Sequence, residues 1–180
     1  MHPCHTQSKI APASHPIYFF ILFQKTVLQK SAVIEAILSV LKLEFETYVA
    51  TSRKTRATGN DAQTKAEGKY DTRSIEENYL ADGQAKHALV ARQSHEAISA
   101  LPLTAFDAET PIGMGCLVEL AFATETQWFF LAPSAGGLEV LSNGVSITVL
   151  SPESPLASQL LGRQQGGFTE KPKTKILRVL

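Results

Sequence analysis

The sequence predicts an α+β protein in which an N-terminal antiparallel helical hairpin (a coiled coil) precedes a small antiparallel sheet with one short helix. Three observations predict this fold class. Apolar residues recur every three or four positions between residues 27 and 49, and a second helical segment follows from Thr72 to Leu101. After Pro102 the pattern changes to short alternating strands separated by glycine-containing turns. A proline-initiated helical turn between Ser154 and Gly162 interrupts these strands.

Composition limits the classes of function. The chain has 180 residues, and its 17 Lys and Arg balance its 17 Asp and Glu, so the sequence does not indicate a strongly basic nucleic-acid binder. Its two cysteines, Cys4 and Cys116, are far apart, which excludes a disulfide framework and a cysteine-rich zinc site. No other metal-ligand cluster is predicted. These features predict a protein of the reducing cytoplasm.

The first segment contains an apolar run from Ile17 to Phe23. A membrane-spanning helix needs about 20 apolar residues, so this run is too short, and we expect no membrane partner. We expect residues 1–26 to be a disordered extension or to precede the natural start. The remaining predicted divisions are a helical hairpin over 27–101, a linker over 102–111 and an α+β domain over 112–180.

Two apolar stripes predict the hairpin, because helical residues three and four apart share a face. Small residues in the second helix are expected to let the helices approach closely. A helix of about 30 residues would be roughly 45 Å long. The first stripe comprises Ile34, Ile37, Leu38, Leu41, Phe45 and Val49, and the second comprises Ile75, Tyr79, Gly83, Val90, Ala97 and Leu101.

The polar link between the helices, residues 50–71, forms the expected tip. Gly59 and Gly68 argue against uninterrupted helix there, and either could mark the apex. The basic residues of this region fit a solvated helix face, which we prefer, or a surface that contacts nucleic acid or an acidic protein. These candidate contact residues are Arg53, Lys54, Arg56, Lys69 and Arg73.

In the C-terminal segment, the pattern predicts four or five strands and one short helix, which is typical of a small α+β domain. Trp128, Phe129 and Phe130 are expected in its core, although an aromatic pocket is the alternative. Cys116 is expected to be a buried structural thiol, because no histidine follows His95 to activate it.

The short helix carries the most specific motif. Ser154 can cap it, Pro155 suits its first position, and Gly162 suits a left-handed C-terminal cap. Leu156, Leu160 and Leu161 are predicted to share one face. A strand that leads into S-P-L-A-x-x-L-L-G and a glycine-bearing turn resembles the C-terminal domain of the bacterial GreA/GreB transcription elongation factors. The resemblance covers residues 30–180.

This resemblance implies an FKBP-like fold for the C-terminal domain and RNA polymerase as the partner, with indirect contact to nascent RNA or DNA. In this family the hairpin enters the secondary channel of the polymerase, and acidic residues at its tip help to hold a Mg²⁺ shared with the enzyme. The protein is then a regulatory factor without an active site or stably bound cofactor of its own.

The tip departs from the family pattern of an Asp, a Glu three residues later and a Tyr four residues after that. Anchored on Tyr79, the acidic positions fall on Thr72 and Ile75, whereas Asp71 is one residue away. The other acidic tip candidates, Glu76 and Glu77, lie just inside the helix. Asp71 could cap the second helix, which we prefer, or it could, together with Glu76, address the metal or a basic wall of the channel. We therefore expect polymerase binding without efficient stimulation of transcript cleavage.

Two alternatives remain open. The chain could be an FKBP-like prolyl isomerase or peptide-binding module whose hairpin is only an arm. It could also be a structural coiled-coil adaptor, which predicts self-association through the stripe over 34–49.

Overall fold

The structure is a computed structural model that describes residues 28–59 and 73–180. Two long helices come first, and six strands and a short helix follow. In chain order the elements are α1 (Lys30–Gly59), α2 (Arg73–Ser99), β1 (Leu117–Ala121), β2 (Thr126–Leu131), β3 (Glu139–Ser142), β4 (Val145–Leu150), α3 (Pro155–Leu160), β5 (Phe168–Glu170) and β6 (Lys173–Val179). The α+β prediction, with a helical hairpin before the sheet, is confirmed. The boundaries predicted at residues 101 and 111 stay predictions.

Helix α1 follows its predicted stripe at the end nearest the sheet. Ile37 is fully buried and Leu41 is 3% exposed, while Phe45 and Val49 are half-buried. The helix is described as far as Gly59, so the polar residues 50–58 belong to it and not to the link. Their polarity did not prevent helix formation, because the segment contains no proline and packs on α2.

The stripe predicted for α2 is wrong. Tyr79 is 74% exposed, Val90 is 58% exposed and Ile75 is 53% exposed. The residues that α2 buries are mostly small, and alanine lets two helix backbones approach more closely than longer side chains do. The predicted hydrophobic stripe omits them, whereas the expectation that small residues of this helix face its partner agrees with the burial of the alanines among them. They are Ala81, Ala88, Ala91, Ser94 and Ile98.

The sheet has the strand order β3-β4-β2-β1-β6-β5. Strands β2 and β4 pair in parallel, from Trp128 opposite Ile147 to Leu131 opposite Leu150, whereas the other neighbours are antiparallel. The predicted antiparallel sheet is therefore mixed. Strand β5 was not predicted, because its three residues lie in a segment that resembles a glycine-bearing turn.

The sheet separates two apolar cores, as expected when alternate side chains point to opposite faces. On one face, Leu117 and Phe130 pack with Ile37 and other residues at the base of the hairpin. On the other face, Leu131 packs with α3 and with the loop before β1. The molecule thus has three layers, hairpin base, sheet and short helix.

The predicted linker, residues 102–111, contains no regular element but is anchored at both ends. The ammonium of Lys30 donates a hydrogen bond of 2.7 Å to the carbonyl of Thr104 and lies 4.3 Å from the centre of the Phe106 ring. At the far end, the N–H of Ile112 bonds to the carbonyl of Arg163 at 2.7 Å. These bonds hold the start of the linker on the hairpin base and its far end on the chain after α3.

Candidate functional site

The hairpin projects beyond the part that packs on the sheet. Leu41 is the last α1 residue in the shared core, and the loop after β2 reaches as far along α1 as Tyr48. From Tyr48 to Gly59, α1 continues for about 16 Å at 1.5 Å per residue. The outer part of the hairpin, residues 49–59 with 73–86, is called the distal hairpin below.

Two polar contacts join the helices in the distal hairpin. The hydroxyl of Ser52, a residue only 8% exposed, donates a 2.9 Å hydrogen bond to the carbonyl of Ala81. One turn farther out, Arg56 and Asp82 form an ion pair with an N–O distance of 2.6 Å. Because this pair is more than half exposed, we expect it to contribute no more than about 1 kcal/mol.

The basic candidates are only partly brought together. Arg53 and Lys54 are exposed on α1, while Arg56 is engaged with Asp82. Arg73 begins α2, and its side chain lies outside the described part, as does Lys69 entirely. Of the basic candidates whose side chains the structure describes, Arg53 and Lys54 are exposed and form no ion pair with the residues in the described ranges.

The acidic and aromatic candidates lie at the start of α2. Glu76 is exposed in the first turn, where the positive end of the helix dipole favours a carboxylate. Glu77 is half-buried, and Tyr79 is largely exposed, as an interacting aromatic residue needs to be. Asp71 lies outside the described residues, so its capping and metal-facing roles both stay predictions.

A shallow groove between the two helices, which begins in the distal hairpin and continues toward the sheet, adds a residue that the sequence did not suggest. It has a volume of about 360 Å³, and Phe45, Val49 and Leu89 line it between the two helices. Arg53 of α1 and Arg92 of α2 also line this groove, as does Arg56. Arg92 is far from the tip in sequence, and only the pairing of the helices places it beside Arg53. The inward stripe of small residues on α2 was the available signal for that pairing.

The motif around α3 has the predicted backbone but not every predicted contact. Ser154 is at the N-cap position, yet its side chain makes no capping hydrogen bond, and Pro155 begins the helix. Gly162 has φ +78°, as a left-handed cap requires. Leu156 packs against the buried cluster, whereas Leu161 is 36% exposed, so the prediction that it shares the buried face is wrong.

Ala157 takes the place predicted for Leu161 and is fully buried beside Leu160. The helix ends at Leu160, and the chain turns outward before the next residue can pack inward. Gln159, which the sequence analysis passed over, ties α3 to the turn after β5. Its side-chain amide oxygen accepts hydrogen bonds from the backbone N–H groups of Glu170 and Lys171 at 2.9 and 3.0 Å. The motif is therefore built for packing within the domain.

The predicted core residues of the sheet are confirmed. Trp128, Phe129 and Phe130 are no more than 8% exposed and belong to the two apolar cores, so they do not form an aromatic pocket. Trp128 also lies under the guanidinium of Arg178, 4.8 Å from the ring centre. Arg178 in turn binds the largely buried Glu119 at 2.5 Å.

Cys116 is fully buried just before β1, as predicted for a structural thiol. Burial raises the pKa of the Cys116 thiol, and this effect exceeds the lowering by the N–H of Gly113 and the charge of Lys30. A buried thiol with a raised pKa is a poor nucleophile, because the thiolate is the reactive form.

In the part of the chain that the structure describes, no group of three His, Cys, Asp or Glu side chains could hold a metal ion. Among the same residues, no helix is both long and apolar enough to cross a membrane.

Comparisons with known proteins give matches among solved structures alone. No protein-family model matches the chain, and no curated protein matches it. The chain is similar to GreA factor homolog 1 (Gfh1) protein of Thermus thermophilus, with 18% identity, a TM-score of 0.32, and 82% of this chain and 94% of that chain covered. It is also similar to a structure of the transcription factor Gfh1, with 20% identity, a TM-score of 0.33, and 82% and 93% covered. Because these identities and TM-scores are low, the function must be argued from the site.

Proposed function

We propose that this chain is a Gre-like regulatory factor that binds RNA polymerase through its secondary channel and modulates transcription elongation. The observation that carries the proposal is the distal hairpin, a pair of helices that extends past the sheet and carries exposed charge. Each helix has a diameter of about 10–12 Å with its side chains, so the pair is a narrow projection. The family resemblance of residues 147–163 supplies the identity of the partner.

Arg53 and Lys54 are the residues proposed to contact the channel wall or nascent RNA. Both are exposed on the part of α1 that lies beyond the loop after β2. Exposed basic residues on a projecting element attract acidic partners, and this attraction weakens as salt screens it. Arg92, whose guanidinium lies 3.7 Å from the carboxylate of Glu96, lines the same groove from the second helix.

The proposal includes weak or absent stimulation of transcript cleavage. A Mg²⁺ shared with the polymerase would need carboxylate ligands at the tip, because hard cations prefer oxygen ligands. Asp71 and Glu76 are the candidates, and their spacing departs from the family pattern. We therefore propose that the factor occupies the channel and changes elongation, acts in the cytoplasm, and has no active site of its own.

The decisive experiment uses purified RNA polymerase halted in a backtracked complex, with and without the full chain. We expect saturable binding and a changed elongation rate, with little transcript cleavage. Cleavage that disappears in Asp71→Ala would instead place a working acid at the tip. Absence of any binding would refute the polymerase proposal.

A matched pair of double variants tests the binding surface. Arg53→Ala with Lys54→Ala removes two charges from the distal hairpin, and we expect weaker polymerase binding. Lys42→Ala with Lys173→Ala removes the same charge from exposed positions nearer the base and on β6. Equal weakening by the two pairs would contradict the assignment of the distal hairpin and indicate only a general effect of net charge.

A further inference from the structure

A cleft lies where the hairpin meets the loop after β2, and it is separate from the groove of the distal hairpin. Its volume is about 310 Å³, at the small end of the range for small-molecule sites. Leu41, Ala91 and Ser94, each no more than 5% exposed, form its floor. Glu44 and Tyr48 of α1 line it from one side.

The loop that forms the opposite wall has a fixed shape. Gly137 has φ +87°, and its N–H bonds to the carbonyl of Val149 at 2.8 Å. At Gly136 an added Cβ would lie 2.4 Å from the hydroxyl oxygen of Ser151, so only glycine allows the loop to press this closely on the chain after β4. The wall is therefore formed before any ligand arrives.

Two polar side chains in the cleft have no partner among the described residues. Ser94 is only 5% exposed, yet its hydroxyl makes no hydrogen bond to the described part of the chain. The carboxylate of Glu44 is half-buried and likewise forms no hydrogen bond or ion pair there. Neither group is among the fully buried side-chain atoms that lack a hydrogen-bond partner, so solvent reaches both through the cleft, and a ligand there could hydrogen-bond to them.

The charge of the lining indicates the class of ligand. No Lys or Arg lines the cleft, and Glu44 is its one carboxylate. The ring of Tyr48 stacks on the imidazole of His87, with centroids 5.3 Å apart and planes 26° apart, so the same cleft is lined by an aromatic pair and a carboxylate. A carboxylate beside an aromatic ring suits an organic cation, through an ion pair and a cation–π contact.

We propose that this cleft binds a small organic cation, a protonated amine carried on a short apolar or aromatic stem. Glu44 pairs with the ammonium group, the hydroxyl of Ser94 accepts one of its hydrogen bonds, and the stem packs between Leu41 and Tyr48. Both the hairpin and the sheet's loop would contact the ligand.

Tyramine and tyrosol provide the test, because they share one carbon skeleton but tyramine carries an ammonium group where tyrosol carries a neutral hydroxyl. Each is titrated into the ¹⁵N-labelled full chain, and binding is followed through the amide resonances of Ala91, Ser94 and Gly136. We expect saturable shifts at these amides, with tyramine binding at least about tenfold more tightly than tyrosol, a difference of about 1.4 kcal/mol. Equal affinities, shifts located elsewhere, or no saturation at millimolar concentrations would overturn the proposal.

A matched pair of variants locates the charge. Glu44→Gln keeps the shape of the side chain, and we expect it to weaken tyramine binding by about tenfold while leaving tyrosol unchanged. Glu46→Gln makes the same change at an exposed position of α1 outside the cleft, and should leave both affinities unchanged. Equal losses in the two variants would refute the role of Glu44. The circular dichroism spectrum of each variant checks that its fold is retained.

Discussion

Truncation of Ile37 tests whether the hairpin and the sheet fold as one unit. Ile37 of α1 is fully buried in the core shared with Leu117 and Phe130 of the sheet. Replacing a buried isoleucine with alanine costs about 2–5 kcal/mol, through lost burial and the cavity left behind. For a chain of this size each kcal/mol lowers the melting temperature by about 2–4 °C, so a loss of 3 kcal/mol lowers it by roughly 6–12 °C.

Two probes report the two parts of the molecule. Trp128, the only tryptophan, lies in the same core on β2, so its fluorescence follows the sheet. Circular dichroism at 222 nm follows mainly the two long helices. If the core is continuous, Ile37→Ala should shift both melting curves downward by the same amount, because unfolding is then cooperative.

Leu43→Ala is the matched control. Leu43 lies on the same helix but is 64% exposed, so its truncation should change stability by no more than about 0.5 kcal/mol. An equal loss in both variants would refute the assignment of Ile37 to the core. A shift of the helical signal without a shift of Trp128 fluorescence would show that the hairpin unfolds independently of the sheet.

Two further predictions concern a pair of glycines and the carboxylate of Asp107. Gly136→Ala should destabilise the protein by about 1–3 kcal/mol, because Gly136 lies close against the chain after β4. Gly83→Ala should stabilise the protein by about 0.5–1 kcal/mol, because Gly83 lies in α2 with open space around it. Urea denaturation measures both changes. A loss at both positions would contradict this difference. Hydrogen bonds from the side chain and backbone of Thr110, and from the backbone of Glu109, lower the pKa of the Asp107 carboxyl. The stabilisation that these bonds provide is therefore fully present above the unfolded-state pKa of about 3.9, and it is lost as the pH falls through the lower pKa of the folded state. Asp107→Asn should therefore lower the urea midpoint at pH 7 but have a smaller effect at acid pH, and the same loss at both pH values would refute this assignment.

Much of the candidate site depends on distances that sequence does not contain. Arg53 and Lys54 could be proposed from sequence, because a cluster of charge in a helical segment is a local feature. Arg92 could not, since its place beside Arg53 follows from how α1 and α2 pair. Glu44 and Ser94 are ordinary helix residues in sequence, and only the contact of the hairpin with the loop after β2 turns them into the lining of a cleft.

The sequence by itself determined the order of the two long helices, the strand-rich segment and the short helix, although it did not reveal strand β5. Hydrophobic periodicity is a local property, so it predicted two long helices, a strand-rich segment and the proline-initiated turn at Pro155. Left-handed backbone at Gly162 was also predictable, because glycine adopts positive φ without a steric penalty.

The tertiary structure decided which of the possible faces are buried and how the strands pair. The α2 face chosen by hydrophobicity is exposed at Tyr79, because alanines such as Ala88 allow closer helix packing and so outweigh larger apolar residues. The parallel pairing of β2 with β4 brings together residues that are distant in sequence, which no local pattern records. The same long-range packing brings the hairpin base onto the sheet and so creates the cleft beside Glu44.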